Sequence, residues 1–336
     1  MRKVLLTTTA LVAFGGASVA SAMDISGSYA FDYRDNSNSG ASADAANVSG
    51  NSFGSDSLIS FSGSATADSG LTFGAKMTLN GSGGIEDQGM YISGDFGYFM
   101  AGQTDGVVDG MDGFMLGSAL VEVGNGTAKG SGTGGAGLAT SAMVADNPGT
   151  GKVGYRSPEV SGFQVGVSYE DAGSAADANN DNTAWIVTYD LGVAKLGYAQ
   201  SKTGNADNTG ADVTKSNYGL GMTLAGVTFG GSVGTAKTAG AAGAADTSKI
   251  DTTDVGLSYS VNDATGIYVA MLSSEEKTGT NAGDKTEGNT YGLTYSVAPG
   301  VGLLVEYADT DYTDATSGGT NTDGRTSTSI SLSVSF

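Results

Sequence analysis

The sequence contains no cysteine and no histidine. Without cysteine, neither disulfides nor thiolate-held metals can brace the fold. Without histidine, the chain lacks the commonest general base and metal ligand near neutral pH. Proline is scarce, at 3 of 336 residues, whereas glycine is abundant at 56. That mixture suits strands that bend tightly and turn often better than it suits a disordered chain. Bases are few: 15 Lys and Arg stand against 35 Asp and Glu, a formal charge of −20. Such a balance repels phosphate backbones and argues against a nucleic-acid partner.

Long apolar runs are missing as well. The run from Val4 to Ala17 is interrupted by Thr7, Thr8, Thr9, Gly15 and Gly16, and it falls short of the roughly twenty residues a spanning helix needs. Met1-Arg2-Lys3 precedes it and Ala20-Ser21-Ala22 follows. A charged start, a short apolar stretch and small residues at a cleavage site read as a secretory signal peptide over residues 1–22, rather than a membrane anchor. Removal after Ala22 leaves 336 − 22 = 314 residues with charge 13 − 35 = −22, since Arg2 and Lys3 depart with the leader.

What the mature chain has is alternation. Between Asp24 and Arg34, Ile25, Gly27, Tyr29, Phe31 and Tyr33 share one face and Ser26, Ser28, Ala30 and Asp32 the other. The same period of two returns at Leu71–Leu79, Phe163–Tyr169, Trp185–Tyr189, Tyr218–Leu224, Val255–Val261, Tyr291–Val297, Val301–Tyr307 and Ile330–Phe336. It marks strands with one apolar face. Gly266–Leu272 is apolar on both faces, and its direction stays open at this level.

Three features separate this pattern from a soluble sandwich. Aromatics gather near strand ends, among them Tyr29, Tyr33, Tyr169, Tyr189, Tyr259, Tyr291, Tyr307 and Phe336, as interfacial girdles require. Charges are nearly absent from the apolar faces, where a base at the bilayer midplane would cost about 2–4 kcal/mol. Connections also alternate between short turns, such as Ala225-Gly226 and Ala298-Pro299-Gly300, and long polar loops, such as 35–55 and 309–325. Short turns on one rim and long loops on the other characterise transmembrane barrels, and the spacing predicts about sixteen strands. The expectation is an all-β, transmembrane antiparallel barrel over residues 23–336, closed because lipid cannot satisfy an open sheet edge.

One stretch, about 104–150, breaks the rhythm. Connections of this length are usually functional or disordered. It combines glycines with apolar Val107, Val108, Met111, Phe114, Met115 and Leu116, and its first half carries Asp105, Asp109, Asp112 and Glu122. The mixture predicts a constriction loop tucked into the lumen, with acids shown to a polar space. The alternative for the three aspartates is that they are solvated turn formers, and for Glu122 that it pairs with a wall base.

Other classes fit less well. A calcium-binding solenoid or secreted adhesin needs a fixed short repeat, and neither Gly83-Gly84 nor Gly134-Gly135 begins one. The acidic loop at Asp177–Asp181 offers oxygens that suit calcium, but no complete ligand set is spelled out. No P-loop is present, and scattered acids on strand faces do not make a catalytic pair.

Tyr155-Arg156-Ser157-Pro158-Glu159-Val160-Ser161-Gly162-Phe163 resembles a strand–turn–strand segment of the Gram-negative general porins, which often read Arg-Tyr-x-Ser-Pro-x-Phe-x-Gly-Phe. Gly94-Asp95-Phe96-Gly97, running on to Gly102-Gln103, resembles the turn and strand before their constriction loop, and the terminal Phe336 resembles their barrel-assembly signal. In layout the whole mature chain is similar to porins of the Rhodobacter type. The resemblance implies a homotrimer of sixteen-stranded pores in outer-membrane lipid and lipopolysaccharide. It further implies Phe336 read by the assembly machinery, small hydrophilic solutes as cargo and no cofactor.

The same resemblance sets Asp105, Asp109, Asp112 and Glu122 against basic residues of the wall. By alternation the inward bases are Arg34, Lys76, Lys152, Arg156 and Lys195, the last close enough to its turn to sit at the rim instead. Gly154 and Gln103 stand where such porins usually carry arginine, which implies a thinner basic side. A passive pore with mild cation selectivity is the expected function; a solute-selective channel on the same barrel is the alternative.

Overall fold

The computed structural model describes residues 22–38, 50–108, 144, 151–171, 181–204, 212–240, 246–315 and 321–336. Sixteen strands run in chain order: β1 (Ala22–Asn38), β2 (Gly50–Thr66), β3 (Thr72–Asn80), β4 (Ile85–Gly94), β5 (Gly97–Gln103), β6 (Gly151–Arg156), β7 (Phe163–Glu170) and β8 (Asn182–Asp190) form the first half. The second half comprises β9 (Ala194–Thr203), β10 (Val213–Leu224), β11 (Val227–Thr238), β12 (Ser248–Ser260), β13 (Thr265–Thr278), β14 (Lys285–Ala298), β15 (Val301–Asp314) and β16 (Asn321–Ser335). Each strand pairs antiparallel with its chain neighbours, and β1 pairs with β16 to close the barrel. Residues 1–21, where the signal peptide is expected, lie outside the described residues.

Period two decides what faces where. On β12 the apolar row Val255, Leu257 and Tyr259 is exposed, while Thr252 and Asp254 on the other face are buried. The register carries this division around the barrel, because Leu257 stands opposite Phe229 on β11 and Val269 on β13. Gly266–Leu272 is thereby assigned: Tyr268, Ala270 and Leu272 point inward and buried, with Ile267 and Met271 outward. Aromatics on the outer face touch in rows. Trp185 lies 4.9 Å from Tyr198, and Tyr198 lies 4.5 Å from Tyr218, between ring centroids.

Turn chemistry fixes the short rim. Ser161 and Ala225 adopt φ of 53° and 52°, followed by Gly162 at 86° and Gly226 at 80°. Two consecutive left-handed residues make tight hairpin turns whose twist matches the flanking strands, with glycine supplying the second position. At the seam, the Phe336 N–H donates to Gly27 O at 3.0 Å, and the Gly27 N–H donates to Phe336 O at 2.9 Å. A Cβ at residue 27 would come within 2.7 Å of the Phe336 ring, so glycine lets the last side chain lie over the first strand.

Lengths differ around the wall. β1, β2 and β10–β16 have 12–17 residues, whereas β3–β9 have 6–10. The long strands outrun the roughly 9–11 residues that cross a bilayer. Their far ends carry outward ion pairs, such as Lys249–Asp251 at 2.8 Å and Lys277–Glu275 at 2.6 Å.

The face assignment is testable at adjacent residues. Leu257→Arg should destabilise the barrel by about 2–4 kcal/mol, because it places a base against lipid. Ser258→Arg, facing water, should fold as wild type. Equal refolding yields of the two variants in lipid vesicles would contradict the assignment.

Candidate pore lining

The inner wall is built for a visitor from the chain itself. β5 leaves the wall at Gln103, and Thr104–Val108 turns into the lumen, where Val107 and Val108 are almost fully buried. Val107 packs against a floor of glycines. A Cβ at Gly166 would come within 3.0 Å of the Val107 Cβ and of Ile186 Cγ2, and one at Gly154 within 2.7 Å of Met100 Cε. Met100, Ala184, Ile186 and Ala199 complete the apolar contact. Burying a valine side chain contributes about 1.5–3 kcal/mol, so this seat fixes the start of the long segment.

Hydrogen bonds hold the same place. Arg156 Nη2 donates to Val107 O at 3.1 Å and to Gly106 O at 3.4 Å. The Val107 N–H donates to Ser168 Oγ at 3.4 Å. Further along, the Val144 N–H donates to Asn217 Oδ1 at 2.5 Å, on the inner face of β10. Both described parts of the segment therefore lie on the lumen side of the wall. Asp105 is exposed just before Gly106. Asp109, Asp112 and Glu122 lie outside the described residues.

Each expected wall base sits on the lumen face, with partners close by. Arg34 Nε is 2.6 Å from Asp32, and Lys76 is 3.4 Å from Asp87. Lys152 faces Glu170 across the β6–β7 register, both buried. Lys195 is 3.0 Å from Asp190 across the β8–β9 hairpin and largely exposed, which places it at the short-turn rim.

One sequence reading is corrected below. Arg156 was expected on the basic wall facing the loop acids; its guanidinium donates to the carbonyls of Gly106 and Val107, which pass directly over it, while Asp109, Asp112 and Glu122 lie outside the described residues. Arg156 is a positioning residue for the loop root. Gln103 was counted on the basic side of the eyelet, yet it points outward: its cross-strand partners are Gln88 and Gly151, on the row that includes Met90 and Val153. The lumen position on that strand is Gly102, whose φ of +145° brings it against the Gln88 backbone.

Among the described residues, sequence reasoning passed over further lumen charges, including Lys215, Asp254, Glu276 and Glu306. Asp254 accepts from Ser232 Oγ, Glu276 from Ser248 Oγ at 3.0 Å, and Glu306 from the Tyr268 hydroxyl. A signal existed, since Asp254 precedes Val255 and Glu306 follows Val305, so both alternate away from lipid. On the calcium question, Asp181 accepts from the Tyr169 hydroxyl at 2.9 Å and Asp177 lies outside the described residues. Among the described residues no three acidic side chains gather as a metal cradle.

A closed sixteen-stranded barrel with an apolar exterior and a polar interior defines a transmembrane channel of the outer-membrane type. A family model described as Gram-negative porin matches residues 7–315, and the chain belongs to that family, which places it in the outer membrane. Solved structures share the fold. The anion-selective porin from Comamonas acidovorans has 18% identity and a TM-score of 0.70, with 94% of this chain and 100% of that chain covered. The outer-membrane protein OmpT of Vibrio cholerae, in its trimer form, has 16% identity and a TM-score of 0.67 over 94% and 100% of the two chains. A triple mutant of the Rhodopseudomonas blastica porin has 15% identity and a TM-score of 0.58, with the same coverage. A search of curated proteins returned no match.

The loop root offers a direct test. Gly154→Ala asks only that the flexible end of Met100 move and should leave single-channel current unchanged. Gly154→Arg has no room beneath Met100 and Val107 and should lift the loop root, altering conductance and increasing current noise. Indistinguishable traces from the arginine variant and wild type would contradict the packing described.

Proposed function

We propose that the barrel is a passive diffusion pore for small hydrophilic solutes and ions, mildly selective for cations and working as a homotrimer. The observation that carries the selectivity is the fate of the bases: Arg34, Lys76 and Lys195 pair with acids, and Arg156 binds carbonyls. On the lumen face of β12 and β13, Asp254 and Glu276 add acids, and Lys215 on β10 adds a base. A pore's preference follows the sign of charge at its narrow part, where low-dielectric walls confine the field.

The anion selectivity of the Comamonas protein belongs to that protein, and 18% identity does not transfer it. Partially exposed ion pairs contribute little stability, so their role here is to shape the field across the lumen. The homotrimer draws support from the trimer form of the Vibrio neighbour. The outward aromatic rows suit outer-membrane lipid and lipopolysaccharide.

Reversal potentials across planar bilayers test the selectivity. In a low-salt gradient the wild type should favour cations, weakening as the Debye length falls from about 10 Å at 0.1 M to about 3 Å at 1 M. Replacing Asp105, Asp109 and Asp112 together with Asn should move the potential toward anions. A wild type that prefers anions at low salt would overturn the proposal.

A further inference from the structure

The inward rows of the barrel are mostly small; on β14 the row reads Thr286, Gly288, Thr290, Gly292 and Thr294. Tyrosine is the exception, and the described lumen tyrosines divide into two kinds. Tyr268 on β13 donates its hydroxyl to Glu306, and Tyr312 on β15 donates to Asp284 at 2.8 Å. The hydroxyls of Tyr91 on β4 and Tyr98 on β5 make no hydrogen bond among the described residues. These two rings stack on each other instead, with centroids 5.4 Å apart and planes 21° from parallel.

The pair lies in the short-turn half of the lumen. Tyr91 stands opposite Met100 in the register, and Tyr98 stands opposite Ser93, next to the Gly94–Gly97 turn. Both rings are partly exposed. Tyr91 leans across β3, because a Cβ at Gly74 would come within 2.7 Å of its Cε1. Glycine there lets the ring lie over the neighbouring strand. On the far side of Gly74, at the same level, Ser64 of β2 is exposed. Arg156 of β6 stands opposite Tyr98, and one step deeper Lys76 pairs with Asp87 at 3.4 Å.

We propose that the Tyr91–Tyr98 pair is a binding subsite for neutral pyranose sugars; the inference rests on the diffusion-pore reading above and names a solute class for it. A pyranose carries C–H bonds on its flat faces and hydroxyls around its edge. An aromatic face takes the C–H side out of water, and a phenol keeps a polar handle at the rim of that face. The edge hydroxyls need donors and acceptors together, and hydroxyls at Ser64 and Ser93 supply both from one atom. Lys76 and Asp87 add a donor and an acceptor without net charge. Arg156 is committed to loop carbonyls through Nη2. An open-chain polyol lacks the flat face that the rings would cover, and an aromatic hydrocarbon lacks the edge groups.

Ion current through single channels in potassium chloride tests this, with glucose or its open-chain alcohol sorbitol added at matched osmolality. Tyr91→Leu and Tyr98→Leu keep side-chain bulk and remove the aromatic face, whereas Tyr91→Phe and Tyr98→Phe keep the face. Should one leucine variant fail to assemble, the other decides. The expected result is a saturable fall of wild-type current with glucose, and with sorbitol only the fall that the bulk solution shows. The glucose concentration at half-effect should rise severalfold in the leucine variants and stay closer to wild type in the phenylalanine ones. A conducting channel that responds alike to both solutes overturns the subsite and leaves the pore standing. Undiminished glucose response in both leucine variants overturns the assignment to these tyrosines, and phenylalanine variants as weak as the leucine ones overturn stacking. Saturation by glucuronate without saturation by glucose overturns the neutral class in favour of an anion at Arg156. Folded protein that carries no current overturns both the subsite and the pore.

Discussion

The structure depends on one constraint: inside a bilayer there is no water to bond a bare peptide group. A sheet can meet it only by closing, and this one closes where β1 meets β16 along a register that runs from Ser28↔Ser335 to Asn38↔Arg325. Closure makes many other stabilising devices dispensable. The chain has no cysteine, and the ladder holds the wall without disulfides. The interior needs no continuous hydrophobic core, so inward positions can be Ser, Thr, Gly and paired charges. Small inward residues then leave the lumen wet, and a wet lumen is what a channel requires.

The apolar packing that does exist inside is concentrated where the long segment enters. Met100, Val107, Ile186 and the glycines at 154 and 166 form a seat on the wall of β5–β8. Its electrostatic consequence follows from Arg156. A guanidinium that satisfies two carbonyls of an inward-turning strand end keeps its charge, and the two bonds hold that charge at a fixed point beside the loop root. The same residue thus links loop geometry to selectivity. Gly154 belongs to that link: an arginine there would add charge but would occupy the space of Met100 and Val107.

Much of the fold was legible in the sequence, and the illegible parts share a physical cause. Within the lipid band only one face is dry, so Val255, Leu257 and Tyr259 announce their strand. Above the band both faces are wet, and the alternation fades. Residues 309–325, which read as a loop, are in large part the ends of β15 and β16. Gly266–Leu272 was ambiguous because Tyr268 faces the lumen, where Gly292 leaves space for its ring and its hydroxyl donates a hydrogen bond to Glu306. Gln103 misled because a polar residue on the outer row violates the pattern that usually identifies the inner one. Arg156 was placed on the correct face, yet its partners could not be read, since they are backbone carbonyls of a segment fifty residues away.

A cysteine-free chain permits one decisive measurement. Cysteines introduced singly from residue 255 to residue 260 can be exposed, in open channels, to a charged thiol reagent that does not cross lipid. A water-filled pore walled by β12 predicts that current falls on reagent addition at 256, 258 and 260 and holds at 255, 257 and 259. Inhibition at every position, or at none, would contradict the account of this barrel as a channel with that wall.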